Sequence, residues 1–169
     1  MTDLALRELT VRYGNRDAVH PLSLTVPSGG WLCLIGPSGA GKSSVMRATC
    51  GLAPHGGVIA IAGEETAAMT ARERARRVAY VPQAPVLPAD MTVFDYVLLG
   101  RSPFISYFGS VSAQDRVIAN DILQRLDLAA FSDRMLSTLS GGESQRLVLA
   151  RSIAQGAPPM AWLFQAIFV

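Results

Sequence analysis

Charge is scarce in this sequence: Asp, Glu, Lys and Arg make up 17% of its 169 residues, and the formal net charge is only +2. So small an excess gives no electrostatic reason to expect nucleic acid as a partner. The local run Arg72, Arg74, Arg76 and Arg77 reads as the solvated face of a short helix. Cysteine is equally sparse. Cys33 and Cys50 are the two cysteines, without metal-ligand spacing, and are expected to be buried, reduced thiols. His20 and His55 stand alone beside Pro or Gly, so neither is nominated as a ligand or base. No apolar run approaches the roughly 18 residues of a membrane span. The first residues carry Asp3, Arg7 and Glu8 and lack the apolar centre of a signal peptide. Internal repeats and low-complexity tracts are absent.

What is abundant is apolar residues. They form 50% of the chain, which predicts extensive burial rather than disorder, and the length suits one domain. Leu4/Leu6 and Leu22/Leu24/Val26 alternate with more polar residues, as half-buried strands do. Val58-Ile59-Ala60-Ile61, bounded by Gly56-Gly57 and Gly63, reads as another strand. Trp31 to Ile35 reads as a buried strand, and Ser44 to Cys50 as a helix with Gly51 at its C-terminal cap. Beyond Pro85 and Pro88, helices are expected at about 91–100, 114–127 and 141–154. Ile118, Ile122 and Leu126 share a face of the second.

Between that strand and helix lies Gly36-Pro37-Ser38-Gly39-Ala40-Gly41-Lys42-Ser43, which fits the phosphate-loop pattern G-x-x-x-x-G-K-[ST]. Glycines let the loop wrap so that backbone N–H groups converge on an anion. The N-terminus of the next helix, with Ser44 in its first turn, adds partial positive charge. Lys42 suits the β- and γ-phosphates, and the Ser43 hydroxyl suits Mg²⁺. A bare glycine turn would need neither.

Leu139-Ser140-Gly141-Gly142-Glu143 opens the third helix. Ser140 and Glu143 fit a capping box, and a helix start with two glycines is itself suited to phosphate. Together with the phosphate loop, this segment resembles the signature of the ATP-binding-cassette (ABC) ATPases, with Glu143 where Gln is commoner. Val81-Pro82-Gln83 looks like their Q-loop, and Tyr13 like their adenine-stacking aromatic.

The resemblance implies an α/β fold, a P-loop core with an antiparallel β subdomain and a helical subdomain. Residues 1–83 would be core and β subdomain, 84–139 the helical subdomain, 140–159 the signature helix, and 160–169 a tail unlike the family. It implies ATP and Mg²⁺ as ligands, with Gln83 touching the metal or the attacking water. Ser140, Gly141, Gly142 and Glu143 would face ATP held by a second copy. It also implies transmembrane permease subunits as partners, on the cytoplasmic face of a membrane. The stretch Thr92 to Pro103 looks most like importers of iron–siderophore, haem or cobalamin. Phe104, Tyr107 and Phe108 are expected to pack within the helical subdomain.

The pattern breaks after Pro159. The family continues with an apolar strand ending in Asp-Glu, which supports the metal and polarises the attacking water. Met160 to Val169 contain no acidic residue, so no catalytic base is named. The expectation is a cassette cut short, prone to aggregate and with little or no ATPase activity. Three alternatives stay open: a soluble ABC ATPase outside transport, another P-loop class such as a small-molecule kinase, and an inactive fragment.

Overall fold

The computed structural model describes residues 3–30, 32–82 and 85–156, and the backbone of 162–164. The chain divides into two compact units that part in sequence between Tyr80 and Val81.

The first unit is built on a four-stranded antiparallel sheet. Strands β1 (Leu4–Tyr13), β2 (Arg16–Val26), β3 (Gly56–Ile61) and β4 (Glu64–Glu65) lie in the order β2-β1-β3-β4. Simple alternation would put Leu6 and Leu9 on opposite faces, yet both are buried. An irregularity in register between them resolves the conflict. Glu8 adopts φ 49°, its N–H donates to Ser23 Oγ at 2.9 Å, and Ser23 Oγ donates to Glu8 Oε1 at 2.8 Å. The extra residue returns Leu9 to the core face. There Leu6, Leu9, Val11 and Ile59 pack with Val45 and Ala48 of helix α1 (Lys42–Thr49).

Helix α1 ends in a Schellman turn. Gly51, at φ 69°, donates to Ala48 O at 2.8 Å, and Leu52 donates to Arg47 O at 2.7 Å. Arg74, within helix α2 (Ala71–Ala75), donates to Cys50 O at 3.2 Å and Thr66 O at 3.4 Å. Arg77 pairs with Glu64 at 2.6 Å. The arginine run is therefore not simply a solvated face: two of its members tie the helix to its surroundings. Strand β5 (Ala79–Val81) pairs with β6 (Trp162–Phe164) in a separate two-stranded sheet.

The second unit is helical. Helix α3 (Val93–Leu98) runs into a 3₁₀ segment, Leu99–Phe104, and α4 (Ala113–Arg125) and α5 (Gly141–Ala154) follow. Val93, Tyr96 and Val97 pack with Ile122, Leu123, Leu147 and Ala150. Each of the three helices starts with a side-chain cap, from Thr92, Ser112 and Ser140. Half-buried beside this core, Arg101 Nε donates to Asp115 Oδ1 at 2.9 Å. Its Nη1 donates to Ala154 O at 2.8 Å, and its guanidinium lies 4.0 Å from the Phe104 ring centroid. One side chain thus joins the 3₁₀ segment, the start of α4 and the end of α5.

Three expectations need correction. Leu32 to Ile35 form no strand; Leu34 touches the sheet core, while Leu32 and Ile35 are exposed. No described strand lies beside this run to take its backbone hydrogen bonds, so its apolar character alone does not make it extended. Cys33 is exposed for the same reason. Cys50 is half-buried, and desolvation pushes its thiol up to about 12. Tyr107 and Phe108 do not pack into the helical unit. They are 92% and 97% exposed, edge-to-face with centroids 5.1 Å apart, on a turn closed by Gly109 N–H donating to Ser106 O at 2.8 Å. Phe104 is exposed in part, its ring lying under Arg101.

Candidate nucleotide site

The phosphate loop is shaped by two left-handed glycines. Gly39 has φ 84° and Gly41 φ 85°. Gly41 is the residue before α1, and a Cβ there would run into the backbone carbonyl of Ala18 and the side chain of Val19. Chirality and space both demand glycine at this position. The contact seats the start of α1 against β2. Ala18 and Val19 were not legible as part of the site, because nothing local marks a strand residue that backs a loop.

Lys42 opens α1, and its ammonium turns back over the loop. It donates to Gly36 O at 2.6 Å and Pro37 O at 2.8 Å. A cation fixed above a glycine loop, beside a helix N-terminus, is suited to hold phosphate oxygens. Gly36 to Ala40 are exposed, and Gly41, Lys42, Ser43 and Ser44 half-buried, so the loop is open to a ligand while its helix is anchored by Val45 and Ala48. Tyr13, at the end of β1, pairs with Arg16 of β2, two residues from the Ala18 carbonyl under Gly41. Its ring is 46% exposed. The fold therefore brings Tyr13 to the loop's end of the sheet. Gln83 lies outside the described residues.

The signature segment belongs to the helical unit. Ser140 caps α5: its hydroxyl accepts from Glu143 N–H at 3.3 Å, and its own N–H donates to Glu143 Oε2 at 2.6 Å. Hydrogen bonding from Ser140, its backbone N–H first and then its side chain, holds the Glu143 carboxyl below the usual range. Gly141 and Gly142 need no left-handed conformation, and a Cβ on either would meet nothing within 4 Å. Among the described residues, nothing in space or backbone conformation requires glycine at either position. Among the described residues, no three His, Cys, Asp or Glu side chains gather into a metal site, and no helix is long and apolar enough to cross a membrane.

Known proteins resemble this chain in sequence and fold. The iron(3+)-hydroxamate import ATP-binding protein FhuC of Bacillus subtilis is 34% identical over 157 residues, covering 92% of this chain and 58% of its own length. The hemin import ATP-binding protein HmuV of Rhizobium meliloti is 36% identical over 155 residues, covering 91% and 58%. The chain thus spans little more than half the length of these relatives. Among solved structures, a bacterial Atm1-family ABC exporter with ATP bound superposes with a TM-score of 0.76 at 26% identity, covering 92% of this chain and 28% of that one. The family model described as ABC transporter matches residues 19–162. That match spans the loop, both helical starts and the signature, and the chain belongs to the ABC transporter family.

Proposed function

We propose that this chain binds Mg²⁺-ATP as the nucleotide-binding part of an importer's ATP-binding subunit. The observation that carries the reading is the Lys42 ammonium held over the glycine loop at the start of α1. Gly36 to Ser44 would hold the phosphates, Tyr13 the adenine, and Ser43 with Gln83 the cation. Mg²⁺ would neutralise phosphate charge, with phosphate oxygens and water completing its shell. Ser140, Gly141, Gly142 and Glu143 would face the γ-phosphate of ATP on a second copy, in a two-fold arrangement that forms both sites together. The open space around Gly141 and Gly142 supports that approach. The partners would be transmembrane permease subunits, which would place the chain at the cytoplasmic face of a membrane. The cargo would be an iron–siderophore, haem or cobalamin complex: the likeness of Thr92 to Pro103 favours these three, and the names of the hydroxamate and hemin relatives agree with the first two.

A second reading, binding without turnover, is favoured by one observation: residues 160–169 offer no carboxylate to polarise an attacking water. Calorimetric titration with Mg²⁺-ATP, paired with a phosphate-release assay, tests both readings. Binding that Lys42→Ala abolishes supports the nucleotide site, and its absence from the parent chain sinks it. Sustained Mg²⁺-dependent phosphate release would overturn binding without turnover. Co-purification with a polytopic membrane protein is the expected mark of the importer role; an isolated, permease-free chain in the same preparation would count against it.

A further inference from the structure

The signature carries Glu143, a full negative charge in the first turn of a helix offered to phosphate. That charge suits the helix dipole but would repel an incoming polyphosphate. A guanidinium answers it. Arg134 Nη1 lies 3.6 Å from Glu143 Oε1. Its Nη2 donates to Thr138 O at 2.7 Å and its Nε to Thr138 Oγ1 at 3.4 Å. The guanidinium lies 4.8 Å from the Phe131 ring centroid. The backbone is fixed as well: Arg134 N–H donates to Phe131 O at 2.8 Å, and Arg134 O accepts from Val93 N–H at 3.0 Å. Thr138 and Glu143 flank Gly141-Gly142, so one planar fork grips both sides of the glycine pair. Lysine could not make these bonds at once.

We infer that Arg134 is a positioning residue of the signature. It fixes the approach to α5 through Thr138 and cancels the Glu143 charge, so that the helix start stays receptive to a phosphate from outside. The inference rests on the two-copy reading above, and its test separates the two.

The experiment is a double-mutant cycle on the full chain with Arg134→Met, Glu143→Gln and both together. ATP-driven self-association is read by sedimentation in Mg²⁺-ATP. Arg134→Met in the parent background is expected to weaken association roughly three- to tenfold, the range of exposed ion-pair and helix-terminus charge effects. In the Glu143→Gln background the same change should cost much less, because no charge is left to cancel. Equal losses in both backgrounds would reduce Arg134 to a packing role and overturn the inference. A second readout needs no nucleotide: the NMR titration of the Glu143 carboxyl, whose midpoint should rise in Arg134→Met and stay near the parent's in Arg134→Lys. An unmoved midpoint in Arg134→Met overturns the inference. Failure of the parent to associate with ATP would instead refute the two-copy reading and leave the titration to decide Arg134's role.

Discussion

The phosphate loop and the signature both place glycines at a helix start, for opposite reasons. In the loop, the chain's own shape requires them: Gly41 is left-handed and pressed against the Ala18 carbonyl. In the signature, Gly141 and Gly142 are in ordinary helical conformation with empty space around them. The supports differ too. Among the described residues no strand pairs with the run before the loop, Leu32 to Ile35, and the loop is held mainly by α1 and by Lys42. The signature is braced by a capping box, by Arg134 and by a helix whose buried side chains close the core of its unit. A glycine motif thus serves either internal geometry or external access, and substitution to alanine tells which.

The largest effect should come from Gly41→Ala. Left-handed backbone for a residue with a Cβ costs about 1–3 kcal/mol, and the clash here is with backbone, which cannot rotate away. A loss of roughly 3–4 kcal/mol in urea denaturation is expected, with nucleotide binding lost as α1 shifts. Retained stability would mean that β2 gives way easily and that the loop's shape is not imposed from below. Next, Arg101→Met should cost roughly 3 kcal/mol, because it strands the Asp115 carboxylate, whose side chain is 11% exposed, and frees the Ala154 carbonyl. Thermal melts of Arg101→Met and of the double variant Arg101→Met/Asp115→Asn measure it. If the pair is as argued, the double variant recovers part of the loss.

How much of this was legible beforehand follows the range of each interaction. The antiparallel strands declared themselves by alternation, and the start of α5 by Ser140 and Glu143, three residues apart. Those signals are local, and the structure bears them out. The misread strand at Leu32 to Ile35 has the same local character as a buried one; among the described residues it has no neighbouring strand, which a run of residues cannot report. Tyr107 and Phe108 were expected inside because they are aromatic, yet the turn from Ser106 to Gly109 holds them out. Arg101 with Asp115, and Arg134 with Glu143, join residues 14 and 9 apart. Neither pair lies on a single helix, so neither could be anticipated from periodicity. The bulge at Glu8 was also hidden, although Leu6 and Leu9 at a spacing of three were its trace.

A middle-sized effect reports on the helical unit through pH. Asp115 and Glu143, in the helical unit, both have carboxyls held below the usual range. Ser112 is the first cause for Asp115, before Arg101, and Ser140 is the first for Glu143. A depressed folded pKa means stability present above the unfolded value and lost as pH falls through the folded one. The helical unit should therefore hold its melting temperature at neutral pH and lose it below pH about 4. Asp115→Asn should flatten that acid limb. If the limb keeps its slope in the variant, the pair contributes nothing to acid sensitivity.

The smallest stability effect is the most discriminating. Gly142→Ala puts a methyl group into open space at a helical position, where alanine is favoured over glycine by up to about 1 kcal/mol. The isolated chain should be unchanged or slightly more stable, by about 0.5 kcal/mol, since the first turn realises only part of that preference. Mg²⁺-ATP binding by a single copy should also be unchanged, because Gly142 would face a nucleotide held by another copy. ATP-driven self-association, however, should fall sharply if the proposed two-copy arrangement holds, because the methyl group would then occupy the space that the other copy's phosphate needs. A variant that folds better, binds equally and associates worse would show that glycine here serves access. A variant with a lower melting temperature would show instead that the chain itself needs glycine at this position, and the contrast with Gly41 would collapse.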